Sequence, residues 1–120
     1  MNDEGSVIGV VGPCAAGKST LVADLRDRGY LARHIAQEHS YVNDMWKQIS
    51  NPDILIYLDV SYEISTQRAD SNWSRVIYDN QIERLENARK NADLYINTNE
   101  LTPEQVLEMV LDNLQGAVNK

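Results

Sequence analysis

The chain has few of the residues and segments that define several common classes of protein. Cys14 is the single cysteine of the 120 residues, so an intrachain disulfide is excluded. Lys and Arg number 11 against 18 Asp and Glu, and this acidic balance argues against a nucleic-acid-binding surface. No apolar run is long enough to span a membrane. The acidic residues 1–4 also lack the pattern of a secretory signal. These absences predict a cytoplasmic protein without nucleic-acid or membrane partners.

Strand-like and helix-like segments alternate along the chain, without internal repeats or low-complexity tracts. This alternation predicts a single α/β domain over residues 1–120 with a small, mostly parallel sheet. The predicted strands are residues 7–11, 30–36, 53–59 and 94–97, and the predicted helices are residues 19–28, 40–49, 62–68, 74–91 and 103–114. Gly29 and the capping box at residues 102–105 mark two helix boundaries, and Gly116 is expected beyond the last helix.

Residues 12–19 read Gly-Pro-Cys-Ala-Ala-Gly-Lys-Ser, which satisfies the pattern G-x-x-x-x-G-K-[ST]. Because a buried strand precedes the pattern and a helix follows it, the pattern predicts a loop that binds nucleotide phosphates. Lys18 is placed to reach the β- and γ-phosphates, and the hydroxyl of Ser19 is placed to ligate Mg²⁺. The expected nucleotide-binding residues are Gly12, Pro13, Cys14, Ala15, Ala16, Gly17, Lys18, Ser19 and Thr20.

Three acidic residues are candidates for the chemistry that such a loop requires. Glu38 follows the second predicted strand and could act as an acceptor base or reach Mg²⁺ through water. Asp59 ends an apolar strand, where P-loop proteins place a metal-associated acid. Asp44 lies in a predicted helix, and a surface charge is the alternative reading for it. A solvated loop carboxylate is the alternative reading for Glu38.

Several segments beyond the loop resemble the P-loop nucleoside and nucleotide kinases. Residues 52–59 look like the strand that precedes the lid in that family, and Arg68 falls where the family often has an arginine at the lid entry. Residues 84–98 look like the helix after the lid and the last strand. The resemblance implies a three-layer α/β/α P-loop NTPase core, ATP and Mg²⁺ as cofactors, and a catalytic role for Arg68. Arg75, at the other end of the lid-like segment, could also clamp phosphate.

The chain departs from this family in length. The segment between Gly29 and Asp53 is short where such kinases usually house the acceptor-binding region and a further central strand, and only a short lid fits after Arg68. The acceptor is therefore an unidentified small molecule. A homodimer could supply residues that a short chain lacks.

The remaining conspicuous side chains can be interpreted in structural or in functional terms. Cys14 is either a small filler of the loop or a thiol activated by the positive end of the helix. His34 and His39 read as ordinary polar residues, since no metal-ligand spacing joins them to the cysteine. Trp46 and Trp73 could stack on a base or pack in the core, and Trp73 is the better stacking candidate.

Three functions fit this sequence. The first is an ATP-dependent phosphotransferase in which Lys18 and Arg68 neutralise charge, Glu38 is the base, and Ser19 with Asp59 serves the metal. The second is a nucleotide-binding regulatory module without phosphotransfer. The third is a simple NTP hydrolase. ATP is favoured over GTP because the sequence has no Asn-Lys-x-Asp motif for reading guanine.

Overall fold

Four strands form one sheet in the computed structural model, which describes residues 6–69 and 74–118. The strands are β1 (Val7–Val11), β2 (Leu31–His34), β3 (Ile54–Asp59) and β4 (Leu94–Asn97). Their order across the sheet is β2-β1-β3-β4, and every pair of neighbours is parallel. The predicted α/β class with a small parallel sheet is therefore confirmed.

In the described part of the chain, four α-helices and two short helical turns connect and flank the strands. The α-helices are α1 (Lys18–Asp27), α2 (Tyr62–Ala69), α3 (Arg75–Asn91) and α4 (Pro103–Val118). A 3₁₀ turn covers Gln37–His39, and a π-helical turn covers Trp46–Ser50. Among the helices of residues 6–69 and 74–118, none has both the length and the apolar character needed to cross a membrane.

Side chains that alternate along the central strands enter two separate hydrophobic clusters. Ile8 and Val10 of β1 pack in one cluster with residues of α1 and α4. Val11 of β1 packs in the other cluster, with Leu85 and Ala88 of α3. Because successive side chains of a strand point to opposite faces, both faces of β1 are covered. This explains why the central strands read as almost unbroken apolar runs.

Two predicted helix boundaries are confirmed by their hydrogen bonds. At the end of α1, the N–H of Gly29 donates to Arg26 O at 3.0 Å, and the N–H of Tyr30 donates to Leu25 O at 3.1 Å. Gly29 has φ +89°, a left-handed conformation that suits glycine at this position. Before α4, the Gln105 N–H donates to Thr102 Oγ1 at 3.1 Å, while the Thr102 N–H donates to Gln105 Oε1 at 2.9 Å. This reciprocal pair is the predicted capping box.

Three boundary predictions differ from the structure. The strand predicted over residues 30–36 is shorter, and residues 40–49 form turns and the start of the π-helical turn rather than an α-helix. The buried amide of Gln37 is the physical reason for the second difference, because it accepts from the Trp46 N–H at 2.9 Å and donates to Val42 O at 2.8 Å. α4 also continues past Gly116, since one glycine within a helix costs only about 1 kcal/mol. Trp73 and the turn predicted at residues 70–72 lie outside the described residues.

Candidate functional site

The segment between β1 and α1, residues 12–17, lies at the carboxyl edge of the sheet and is called the 12–17 loop below. The segments that follow β2 and β3 reach the same edge, because all four strands are parallel. Glu38 follows β2 and Asp59 ends β3. Ligands of open parallel sheets bind at this edge, so a binding site is expected here.

Glycines allow the 12–17 loop to pass close to the neighbouring strand. Gly12 has φ +153°, and a Cβ atom built there would lie 2.1 Å from Leu58 O. Gly17 has φ +96° and is the N-cap of α1, where no side chain caps the helix. The first N–H groups of α1 therefore have no acceptor within the helix and no capping side chain, so they can bind an anion.

The amino group of Lys18 is buried beneath this loop. The side chain is only 5% exposed, although a lysine is almost never buried without a partner. Its Nζ donates to Gly12 O at 2.6 Å, to Pro13 O at 3.2 Å and to the carboxylate Oε2 of Glu38 at 2.7 Å. The ammonium group thus links the loop to the segment after β2.

Glu38 is held in the 3₁₀ turn and is as deeply buried as its partner, with 3% of its side chain exposed. The guanidinium of Arg84 on α3 donates to the backbone Glu38 O at 3.3 Å, which fixes the turn against that helix. Within the described residues, the other carboxylate oxygen, Oε1, has no hydrogen-bond partner. A buried carboxylate oxygen without a partner is costly, and such an oxygen is suited to receive a cation or a donor group of a ligand.

A cavity of about 380 Å³ opens beside these residues. Its walls include Lys18, Ser19, Thr20, His34 and Glu38. Ser19 and Thr20 are exposed, so their hydroxyl groups are accessible from this space. Burial lowers the pKa of the His34 imidazole below its ordinary value of 6.5, and the charge of Lys18 lowers this pKa further, while Glu38 acts in the opposite direction.

A smaller cavity of about 150 Å³, lined mostly by apolar side chains, shares part of the 12–17 loop with the larger one. Its lining residues are Ala15, Ala16, Gly17, Thr20, Leu21, Arg68, Thr98, Pro103 and Val106. Arg68 of α2 donates from NH1 to Ala15 O at 3.2 Å and to Thr98 Oγ1 at 2.9 Å, and from NH2 to Thr98 O. The predicted phosphate clamp therefore lies against the 12–17 loop.

The other predicted charged residues occupy different surroundings. Asp59 accepts from the Val60 N–H through Oδ1 at 2.9 Å and from the Tyr95 hydroxyl through Oδ2. Of the candidate acids, only Glu38 lines the cavity that contains Ser19. Asp44 lines a separate cavity with Trp46, whose indole N–H donates to Asn87 Oδ1 at 2.9 Å. Arg75 NH1 lies 3.6 Å from Glu63 Oε2, and Arg75 Nε lies 3.3 Å from Asp79 Oδ1.

Two buried glutamines support the site and were not found from the sequence. Gln37 is fully buried and fixes the turn that carries Glu38. Gln81 of α3 accepts from the Cys14 N–H at 3.0 Å, and its amide nitrogen lies 3.3 Å from Cys14 Sγ. From the sequence, a glutamine on a helix is expected to be exposed. The signal that could have indicated this contact is the position of Gln81 on the buried face of α3.

The structure also brings Cys14 close to the adjacent residues Glu38 and His39. Cys14 Sγ lies 3.9 Å from His39 Nε2, and His39 Nε2 lies 3.7 Å from Glu38 Oε2. Comparison with known proteins adds no assignment, since no family model and no curated protein matches the chain. The site is therefore interpreted from its own chemistry.

Proposed function

We propose that the chain is a small ATP-dependent phosphotransferase that binds the phosphates of its donor at the 12–17 loop. The observation that carries the proposal is the buried ion pair of Lys18 and Glu38 beneath an uncapped helix N-terminus, at 2.7 Å. The N–H groups of α1 and the ammonium of Lys18 together favour a polyphosphate anion. The acidic net charge of −7 makes such a local site necessary, because the chain as a whole repels anions.

We further propose that the sheet and helices form the three-layer α/β/α core of P-loop NTPases. Three observations support this assignment. The 12–17 loop joins β1 directly to α1. β1 lies inside the sheet between β2 and β3. Hydrophobic clusters that involve α1 and α3 lie on opposite faces of β1. The kinase family is favoured because Arg68 lies against the loop.

Magnesium fits the oxygen donors of the larger cavity. Ser19 offers a hydroxyl, and Glu38 offers the carboxylate oxygen Oε1, which has no partner among the described residues. Hard divalent cations bind such oxygen ligands together with water and phosphate. Bound Mg²⁺ would neutralise phosphate charge during transfer. The carboxylate of Glu38 is also placed to accept the proton of an acceptor hydroxyl.

In this proposal, the two cavities bind different parts of the donor nucleotide. The polar cavity receives the phosphates, since it contains Lys18 and the start of α1. The apolar cavity shares Ala15, Gly17 and Thr20 with it and is suited to the base. Arg68 lies at the apolar cavity and is hydrogen-bonded to the loop, which allows its guanidinium to stabilise the loop and the charge upon it.

An assay of ADP formation tests this function and separates it from its two rivals. The protein is incubated with Mg·ATP and a panel of nucleosides, nucleotides and small alcohols. ADP formation that requires one acceptor supports the phosphotransferase, and phosphate release without any acceptor would favour the hydrolase. Tight ATP binding with neither product would favour the regulatory module, for which the short segment between β2 and β3 is the supporting observation.

Two variants provide the controls for this assay. Lys18→Met should abolish ATP binding and turnover, whereas Lys47→Met, at an exposed lysine outside the cavity, should leave both unchanged. Ser19→Ala changes an exposed hydroxyl and should preserve the fold while weakening the dependence on Mg²⁺. Unchanged ATP binding in Lys18→Met would overturn the assignment of the loop.

A further inference from the structure

We propose that Cys14, His39 and Glu38 form a binding site for a zinc-class divalent cation, which would share the carboxylate of Glu38 with the proposed Mg²⁺ site but add a thiolate and an imidazole. The ligand atoms are the Cys14 thiolate, the His39 Nε2 and a carboxylate oxygen of Glu38, and they all lie within 4.8 Å of one another. The inference goes beyond the proposed function, because it requires neither ATP nor turnover.

The distances between these atoms match the spacing of zinc ligands. Tetrahedral Zn²⁺ with ordinary bond lengths to sulfur, nitrogen and oxygen places its ligand atoms about 3.3–3.6 Å apart. The sulfur and the imidazole nitrogen are 3.9 Å apart, and the imidazole nitrogen and Glu38 Oε2 are 3.7 Å apart. These two distances exceed the tetrahedral spacing by a few tenths of an ångström, and the third pair, the sulfur and the carboxylate oxygen, lies within 4.8 Å.

The unpartnered oxygen of Glu38 is the independent observation that points to a ligand. Oε1 is buried and has no donor within the described residues, whereas Oε2 already accepts from Lys18. The 3.7 Å distance to His39 is measured at Oε2, and Oε1 belongs to the same carboxylate. A cation bound through Oε1 would remove the cost of this unsatisfied atom while leaving the ion pair of Oε2 with Lys18 intact. The exposed imidazole of His39 leaves a route by which the ion can enter.

Neighbouring side chains hold the proposed ligands in place. Gln81 is hydrogen-bonded to the backbone N–H of Cys14 and lies against its sulfur, and Arg84 donates to the backbone of Glu38. Both partners are on α3, so one helix orients two of the three ligands. The combination of thiolate, imidazole and carboxylate favours Zn²⁺ over Mg²⁺ or Ca²⁺. Binding would release the thiol proton to solvent and leave a fourth coordination position for water.

Cobalt titration of the chelator-treated, nucleotide-free protein tests the site. Co²⁺ reports a bound thiolate by its sulfur-to-metal absorption, and Cys14 is the single cysteine that could give rise to it. We expect one Co²⁺ per chain, displaced by Zn²⁺, with the absorption abolished in Cys14→Ser. An absent absorption in the wild-type protein, or half a cation per chain, would overturn the intrachain site.

The two histidines of the chain supply a matched control. His39→Asn should weaken Zn²⁺ binding at least about tenfold, because it removes a ligand. His34→Asn, in the same cavity wall as Glu38 but outside the three-residue cluster, should change the affinity less than about twofold. Equal losses in the two variants would contradict the assignment of His39.

A measurement on the unaltered chain covers the case in which a variant does not fold. Zn²⁺ should slow the reaction of the Cys14 thiol with a disulfide reagent at least about tenfold, because the metal-bound sulfur is no longer available for attack. Addition of Mg²⁺ should not slow it. An unchanged rate at saturating Zn²⁺ would show that the thiol is not a ligand. None of these readouts depends on ATP, so they can fail or succeed independently of the phosphotransferase assay.

Discussion

The amino group of Lys18 and the carboxylate of Glu38, 20 residues apart in the sequence, form a buried ion pair at 2.7 Å beneath the 12–17 loop. This contact joins the start of α1 to the segment after β2. Lys18 satisfies its remaining donors on Gly12 O and Pro13 O. Among the described residues, Glu38 Oε1 has no hydrogen-bond partner, and both proposals rest on this oxygen.

Removal of one member of this pair should destabilise the protein more than removal of both charges. Lys18→Met leaves a buried, uncompensated carboxylate and should lower the free energy of unfolding by about 3–5 kcal/mol. The double variant Lys18→Met, Glu38→Gln should recover part of that loss, as measured by urea denaturation. Strictly additive effects of the two substitutions would contradict the coupling.

Gly12 and Gly29, which both have positive φ, should differ in their tolerance of a side chain. Gly29→Ala introduces a methyl group into open space, so only the positive φ is unfavourable and the cost should be about 1–2 kcal/mol. Gly12→Ala forces a Cβ against Leu58 O in addition and should cost distinctly more. Thermal unfolding of the two variants provides the comparison, and equal melting temperatures would argue against the close approach of loop and strand.

The His34 imidazole should titrate below its ordinary pKa of 6.5. Because the folded-state pKa is lowered, the unfolded chain binds the proton more strongly, and the associated stability is present above about pH 6.5 and is lost as the pH falls through the folded-state pKa. NMR titration measures this pKa directly. Lys18→Met should raise the pKa of His34 without restoring it fully, since burial is the larger cause. An unchanged pKa in that variant would separate His34 from the charge of Lys18.

Arg68 and Arg75 form a matched pair for the proposed clamp. Arg68 contacts the 12–17 loop through Ala15 O, whereas Arg75 lies near Glu63 and Asp79 on the surface. Arg68→Ala should lower kcat for phosphotransfer about a hundredfold, the scale expected when the phosphate-binding loop that this guanidinium holds is displaced by about 1 Å. Arg75→Ala should change it less than about twofold. Comparable losses in both variants would indicate a general effect on the α2–α3 region.

The sequence predicts features that depend on residues close together in the chain. It does not predict features that depend on contacts between residues far apart in the chain. The strands and most helix boundaries follow from local patterns, as at Gly29 and in the capping box at Thr102. The 40–49 prediction was wrong because the buried amide of Gln37 holds that segment in a different conformation. Periodicity cannot reveal such a contact, since it depends on a side chain outside the segment.

In the candidate site, too, contiguous motifs were predicted and contacts between distant residues were not. The pattern around Gly12 and Lys18 is contiguous, so the sequence predicts a phosphate loop directly. The contact of Lys18 with Glu38 depends on two strand ends meeting at one edge of the sheet, and the sequence predicted only that Glu38 lies near that edge. The approach of Cys14 and His39 was not predicted, because 25 residues separate them and no ligand spacing marks the pair.

A crystal structure with Mg²⁺ and a non-hydrolysable ATP analogue tests the central claim most directly. We predict that the phosphates lie over the N-terminus of α1, with Lys18 donating to them and Ser19 and Glu38 facing the metal. The base should occupy the apolar cavity beside Arg68. An analogue bound elsewhere, or phosphates that leave Lys18 paired only with Glu38 and the loop carbonyls, would contradict the account.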